Sequence, residues 1–532
     1  MHANSNPVLA PFQSRPFAVI WTATVLSNIG TWMYNAGSGW LMTSLDASPL
    51  IVSLVQAAAS LPMFLLTLPA GALTDMFDKR RFLIIGESAT TVAALVLAAL
   101  IALRLINPRM LLLFTFLLGA GSALTAPGWQ AIVPSLVAAK TLPAAVTANS
   151  IGINLSRAVG PALGGLTIAA VGIAAPFWIN AISNLAVILA LLWWRPPERA
   201  LDTLPAERFF AALTTGLRHA RHNADLRGTL MRALGFFSFA GAYWALLPLI
   251  ARTQVRGGPE LYGLLLGAIG TGAVSGAFLL PSLKRQLSRD GVVTAGTLGT
   301  ALALALYGLA RTPLTALAAS LIAGVSWIVV IANLNVAAQV SLPDWVRGRG
   351  VALLMTTYFG GMTLGSVAWG QVATSFGVPV ALFAAAAGAL IVLPLTAGRK
   401  LPAATGRDLT PSSAWPAPVS VPESEHDRGP VLVTVEYRVR PSDRTEFLQA
   451  LRAFSGERRR DGAYAWDVFE DVADVGRFLE TFLLDSWLEH LRQHARTTRE
   501  DQVIQSAVNR FHSEGQPKIT HYIAAPPTPR KA

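Results

Sequence analysis

The sequence predicts an all-α membrane protein of twelve transmembrane helices in two six-helix halves, followed by a small α+β domain. Three observations carry this: the composition, the recurrence of apolar stretches of membrane-crossing length, and a change in charge near residue 400. Of 532 residues, 53% are hydrophobic and only 14% charged, with a mean hydropathy of +0.48; an average soluble chain carries about 25% charged residues. Residues 1–400 hold 25 Lys and Arg with 11 Asp and Glu, whereas residues 401–532 hold 17 and 19. The chain therefore divides into an oily body (1–400), a linker (401–430) and a water-soluble domain (431–525). The net charge of +12 belongs mostly to the loops of the body, so the basic soluble face that nucleic-acid binding needs is missing and no such partner is expected. Cysteine is absent, which excludes disulfides, thiolate metal sites and a cysteine nucleophile. Residues 1–17 contain one arginine and no small-residue cleavage site after a short apolar core, so no signal peptide is expected.

Apolar stretches of about 20 residues, the length that crosses a bilayer, recur at roughly 16–43, 49–73, 82–103, 110–136, 143–171 and 175–194. After the hydrophilic segment from Arg195 to Arg227 the pattern restarts at roughly 229–251, 259–282, 291–310, 313–339, 348–375 and 378–398. Positively charged loops stay on the cytoplasmic side. The alternate loops that include both ends of the body hold eighteen Lys and Arg, the other set only five. Both ends of the body, and the domain after it, are thus expected in the cytoplasm, with the body in the cell inner membrane.

Parallel halves leave weak internal similarity. Gly160-Pro161-Ala162-Leu163-Gly164-Gly165 in the fifth span aligns with Gly361-Met362-Thr363-Leu364-Gly365-Ser366 in the eleventh, 201 residues later. Small residues at this spacing let helix backbones approach closely. After the second span the chain reads Gly71-Ala72-Leu73-Thr74-Asp75-Met76-Phe77-Asp78-Lys79-Arg80-Arg81. A glycine, an acid at a helix end and a basic cluster suit either a latch of charge pairs and helix-terminus contacts or an ordinary basic loop that fixes orientation.

That loop resembles the one between helices two and three of the major facilitator superfamily, with the pattern Gly-x-x-x-Asp-x-x-x-[Arg/Lys]-[Arg/Lys]. The resemblance implies that Gly71, Asp75, Lys79, Arg80 and Arg81 carry a latch between inward-open and outward-open states. Gly152 with Gly160, Pro161, Gly164 and Gly165 is similar to the fifth-helix motif of the superfamily's exporters, called the antiporter motif, which implies efflux. The run from Thr125 through Gln130 to Pro134, then Ala148-Asn149-Ser150, Asn335 to Gln339 and Pro343 to Arg349 resemble the branch of transmembrane secretion effectors. Enterobactin exporters belong to that branch, and some of its members carry a cytoplasmic tail.

Polar groups inside a bilayer are expensive and tend to face the bundle interior. Asn28, Trp32 and Asn35 fall on one face of the first span, with Gly39 continuing it. They form either a cavity wall for a large amphiphilic solute or interhelical hydrogen bonds. Asn154 and Arg157 share a face of the fifth span with Ser150 and Pro161. A cation such as Arg157 costs about 2.5 kcal/mol or more at the bilayer centre unless paired or hydrated. An anionic substrate, an aqueous cavity or Glu87 would meet that need, unless the span begins later and Arg157 reaches the interface. Glu87 follows Arg81 by about 9 Å along its helix, so a pairing with Arg80 or Arg81 is expected. It is also the acidic residue clearly inside a span, hence the candidate to carry or relay a proton. The tenth span adds Trp327, Asn333, Asn335 and Gln339; the seventh adds Tyr243 and Trp244, the latter read as an interfacial anchor.

Residues 401–430 are rich in Pro, Ser and Ala and read as a flexible linker. A strand (Val431 to Arg438), a helix (Pro441 to Arg458), two strands (Tyr464 to Phe469 and Arg477 to Phe482), helical sequence from Trp487 through His512 and a last strand (Lys518 to Ile523) follow. The order βαββαβ suits a ferredoxin-like sandwich and resembles dimeric antibiotic-biosynthesis monooxygenases and haem-degrading enzymes. His490 and His494 stand at i, i+4 beside Trp487, but two imidazoles do not make a metal site. No metal or cofactor is expected, and the tail reads as a regulatory or homodimerising module rather than an oxygenase.

No Walker-type phosphate loop occurs. The expected function is therefore secondary active export of a siderophore or drug-like small molecule, by proton antiport with alternating access. The competing expectation is a bifunctional transporter whose tail binds a ligand or acts as a monooxygenase.

Overall fold

The computed structural model describes residues 9–195, 217–402, 408–410, 412 and 428–525. Most of the expected linker lies outside them. The chain folds as two compact units, one from residues up to 204, 229–336 and 352–401, the other from 205–228, 337–351 and 402 onward.

Among the described residues the first 400 positions form twelve long helices: α1 (Arg15–Leu45), α2 (Pro49–Met76), α3 (Lys79–Ala102), α4 (Pro108–Leu136), α5 (Leu142–Val171), α6 (Ala175–Trp193), α7 (Ala224–Leu249), α8 (Pro259–Gln286), α9 (Arg289–Leu309), α10 (Pro313–Val340), α11 (Asp344–Phe376) and α12 (Val378–Ala397). Their starts follow the local chemistry. Proline occupies the first turn of α2, α4, α5 and α8, where its missing N–H costs nothing. Asp78, Asn107 and Ser288 cap α3, α4 and α9 through side-chain oxygens. Ten of the twelve are long and apolar enough to cross a membrane, and α1 and α5 are outside that set. The reason is in their sequences: α1 carries Asn28 and Asn35, and α5 carries Asn149, Asn154 and Arg157.

Within the first half α1 packs on α5 and α6, α3 on α4 and α6, and α2 on α4; in the second half α9 packs on α12. The repeated small residues do equivalent work in both halves. A side chain on Gly160 would strike the Cβ of Trp32 at 2.5 Å, and one on Gly164 the Cα of Met33 at 3.0 Å. Likewise Gly361 faces the Cβ of Phe237 at 3.2 Å and Gly365 faces Ser238. The fifth helix of each half thus lies against the first, as the six-plus-six reading requires.

Between the halves, the N-terminal part of α8 meets α5, where Gly263 and Gly165 touch backbone to backbone. The N-terminal part of α2 meets α11: Ser60 Oγ and Thr363 Oγ1 are 2.8 Å apart, and the Leu50 N–H donates to Thr374 Oγ1 at 3.0 Å. Arg252, in the π-helical turn that continues α7 (Ile250–Gln254), donates to Thr43 at 2.8 Å and Ser44 at 2.6 Å at the end of α1. All these contacts sit at the same end of the bundle. At the opposite end of α2, a side chain on Gly71 would meet nothing within 4 Å.

The tail contains a four-stranded antiparallel sheet in the order β2-β3-β1-β4, from β1 (Val431–Arg438), β2 (Ala465–Glu470), β3 (Arg477–Leu484) and β4 (Lys518–Ile523). Val433, Val435 and Tyr437 of β1 and Phe478, Phe482 and Leu484 of β3 bury one face against α13 (Arg444–Arg460), which contributes Phe447, Leu451 and Phe454 at helical spacing. The helical sequence expected from Trp487 through His512 is not continuous. It splits into α14 (Trp487–Arg496) and α15 (Arg499–Asn509) because Thr498 and Asp501 form a reciprocal capping box that starts a new helix. The second unit also takes in the segment before α7 and the turn joining α10 to α11. Within it Arg496 stacks on Trp345 at 4.6 Å, Asn223 Nδ2 donates to Ser341 O at 2.7 Å, and Arg218 donates to Gly462 O at 2.5 Å.

Candidate functional site

Arg157 stands partway along α5, half-buried, with its guanidinium carbon 5.6 Å from the centre of the Trp32 ring. Its Nε is buried and has no hydrogen-bond partner, and among the described residues no carboxylate pairs with it. Across the bundle it lies near Tyr358 of α11. Tyr358 in turn packs edge-on to Phe237 of α7 at 4.5 Å and to Trp327 of α10 at 5.8 Å, and Trp244 meets Trp327 at 5.5 Å. Trp244 therefore belongs to an aromatic cluster inside the second half, which corrects its reading as an interfacial anchor.

Sequence reasoning missed Tyr358 and Phe237. The signal was available: the 201-residue offset that aligns Gly160 with Gly361 also maps Arg157 onto Tyr358. Trp32 and Phe237 are the residues those two glycines press against. Each half therefore presents the same two-residue device, an aromatic ring on its first helix beneath a polar side chain on its fifth.

Glu87 of α3 lies elsewhere. Its carboxylate accepts a hydrogen bond from Trp129 Nε1 at 2.9 Å, so the expected pairing with Arg80 or Arg81 is not made. Arg80 instead donates to the carbonyls of Leu191 at 2.8 Å and Leu192 at 2.7 Å, closing the C-terminus of α6. Nor do Glu87 and Arg157 come together. The Arg81 N–H donates to Asp78 at 2.8 Å as part of the α3 cap, and the Asp75 side chain lies outside the described residues. Asn28 is half-buried and Asn35 exposed. Asn154 turns back to donate to Ser150 O on its own helix at 2.8 Å. On α10, Asn335 is half-buried and Gln339 exposed.

Residues 6–528 match the family described as transmembrane secretion effector. The chain belongs to that family, a branch of the major facilitator superfamily. This secretion effector is 28% identical over 380 residues to the multidrug efflux pump Tap of Mycolicibacterium fortuitum, an alignment covering 68% of the chain and 90% of Tap. It is 23% identical over 383 residues to the enterobactin exporter EntS of Shigella boydii, covering 71% and 89%. Among solved structures, a bacterial homologue of the human lysosomal transporter Spinster, in an inward-facing and unoccupied conformation, superposes with a TM-score of 0.60 at 12% identity, covering 73% of this chain and 96% of that one. The protein is thus a multi-pass membrane transporter, an exporter of small molecules, and its fold is that of the superfamily.

The tail of this secretion effector holds three polar clusters that sequence reading did not assemble. Glu480, fully buried on β3, accepts from Arg458 Nε at 3.1 Å, Trp466 Nε1 at 2.9 Å and Tyr437 Oη at 3.1 Å. Every lone-pair direction of a buried carboxylate needs such a donor. A second cluster gathers Glu457, Asp461 and Asp501 about Arg460, with Asp501 2.7 Å away and Asp461 3.1 Å away. Three carboxylates share one guanidinium, and burial pushes Glu457 up to about 7 and Asp461 up to about 6.

The third cluster joins His490 and His494 of α14 to His521 of β4, with one candidate ligand atom from each lying within 4.8 Å of the others. The alternation of β4 and the i, i+4 spacing of α14 aim all three rings at one point. Burial pushes His490 down to about 3 and His494 to about 4. His490 has no hydrogen-bond partner for either ring nitrogen.

Proposed function

We propose that the exporter moves an anionic, aromatic-bearing small molecule, of siderophore or drug-like size, by alternating access around Arg157. One observation carries this reading: a half-buried guanidinium deep in the bundle that stacks on Trp32, approaches Tyr358 and has no carboxylate partner. A cation held at such depth is stabilised by a substrate anion or by water in a cavity, and the flanking rings offer stacking faces. The names of the relatives support the size class, since one is a multidrug efflux pump and another an enterobactin exporter.

In this reading all twelve helices cross the bilayer, with both ends of the body in the cytoplasm, in line with the excess of Lys and Arg in one set of loops. Glycines of the antiporter motif form the joint: Gly152, Gly160 and Gly164 seat α5 on α1, while Pro161 and Gly165 seat it on α8 of the other half. Gly71, Asp75, Lys79, Arg80 and Arg81 form the latch that engages when their end of the bundle closes. Asn28, Asn35, Asn154, Asn335 and Gln339 supply polar lining as the halves rock. Glu87 carries the proton, with Trp129 holding its carboxylate. The tail is a ferredoxin-like module, supported by its β4-β1-β3-β2 order and the helices that follow β1 and β3.

The test is accumulation of candidate anions in cells with and without the protein, with and without a protonophore. Expression should lower accumulation and the protonophore should restore it. Glu87→Gln should abolish the protonophore-sensitive part with normal membrane insertion, and Arg157→Gln should abolish export of anions before that of neutral solutes. Undiminished proton-coupled export by a stable Glu87→Gln protein removes Glu87 from this role.

A further inference from the structure

We propose that His490, His494 and His521 form a binding site for one divalent first-row transition-metal ion, Zn2+ in the first instance. The inference rests on the tail alone and not on the transport reading.

Two independent observations point to a ligand. First, three imidazoles from two separate elements converge, with their candidate ligand nitrogens within 4.8 Å of one another. A tetrahedral ion held at about 2.0–2.1 Å by each nitrogen needs them about 3.4 Å apart, so the rings must close by little more than about 1 Å, which small side-chain torsions supply. The rings already meet at 4.7 Å (His490 to His494) and 4.6 Å (His490 to His521) between centres. Second, His490 is only 1% exposed and yet both of its ring nitrogens lack a hydrogen-bond partner. In the same core Glu480 is fully satisfied, whereas around His490 the unanswered atoms gather in one place, with Trp487 Nε1 and the Gln493 amide beside it, and each such buried group calls for an explanation.

The surroundings fit a metal better than a simple hydrogen-bond defect. Trp487 packs at a tilt against His490 at 5.0 Å and edge-on to His521 at 5.8 Å, walling the cluster with an indole. Gln493, 1% exposed, also has its amide nitrogen and oxygen unpartnered. An amide beside a metal-bound histidine can accept the second ring N–H and fix the tautomer, the usual outer support of such a site. Three imidazoles with no carboxylate or thiolate in the group select Zn2+, Cu2+ or Ni2+ over Mg2+ and Ca2+. They leave a fourth position for water or a small anion. Arg458 is the cation close enough to act on His490 and His494, and its charge is answered by Glu480 at 3.1 Å.

The experiment titrates the full chain, purified in detergent and stripped of metal, with Zn2+ against a chromophoric chelator, and with Co2+ for its visible ligand-field bands. One equivalent should bind, and Co2+ should give the intense bands of a tetrahedral nitrogen site. His494→Gln and His521→Gln change partly exposed rings and spare the core. Each should weaken Zn2+ binding by more than about 100-fold, the upper range for loss of even an outer-shell partner. His222→Gln, an exposed histidine outside the cluster, should bind as the parent does. Absence of a chelator-competing equivalent, or equal affinity in the parent and the His494→Gln/His521→Gln double variant, overturns the proposal.

Discussion

Arg157 and Tyr358 occupy the same position in the two halves of the chain, 201 residues apart, and lie near one another across the bundle. Each stands over the aromatic residue that its own half's small-residue motif presses against, Trp32 in one case and Phe237 in the other. The halves have therefore diverged at a matched point: one supplies charge, the other a ring and a hydroxyl.

This asymmetry predicts how substrate affinity divides. A cation over an aromatic face contributes about 0.5–2 kcal/mol, so Trp32→Ala should weaken binding of an anionic substrate by about 2- to 30-fold through loss of Arg157 positioning. Arg157→Lys should not rescue it, because an ammonium lacks the planar face. Substrate-induced fluorescence changes in detergent measure both. Tight binding retained by Arg157→Gln would place the substrate elsewhere.

The contact of Gly165 with Gly263 predicts a conformational bias. A Cβ on either would lie 2.9 Å from the other's Cα, too close to fit without separating α5 from α8. Overpacking of this kind costs about 1–3 kcal/mol, enough to shift a two-state balance by about 5- to 150-fold. Gly263→Val should make cysteines introduced near the N-terminus of α8 more reactive to impermeant thiol reagents and should slow transport, with insertion unchanged.

In the tail, Arg458→Met strands Glu480 in a core where it is 0% exposed. Removing one member of a buried pair costs about 3–5 kcal/mol. Amide exchange in β1 and β3 should accelerate accordingly. The Arg458→Met/Glu480→Leu double variant should recover much of the loss, since no charge is then left buried.

The carboxylates about Arg460 predict a pH dependence of known sign. Glu457 is raised from 4.5 to about 7, so between those values the folded tail holds more protons than the unfolded chain. Stability is fully present below the lower value and declines as pH rises toward the upper. Glu457→Gln should flatten this decline by up to one proton's slope, about 1.4 kcal/mol per pH unit. Exchange rates of α13 and α15 amides measured from about pH 5 to about pH 8 read the slope directly.

The helices of the body were legible because hydropathy alone sets their length, and their observed bounds fall within a few residues of those expected. Strands β1 and β4 were found at their observed limits from simple alternation. What the sequence hid was convergence. Glu87 was assigned to arginines near it in the chain, whereas its partner Trp129 stands 42 residues away on α4. His521 follows His494 by 27 residues on a different element, and only the antiparallel pairing of β4 with β1 brings it to α14. Tyr358 was within reach through the internal repeat, but a hydroxyl and a guanidinium do not look alike in an alignment.

The second unit is assembled from three separated stretches of chain, with Trp345 lying under Arg496 and Asn223 holding Ser341. A stop codon placed after residue 402 would accordingly not yield a trimmed but intact protein. It would bare the Trp345 indole that Arg496 covers and take from Arg218 the Gly462 carbonyl it donates to, so genetic dissection of the gene should cut none of the three without the others.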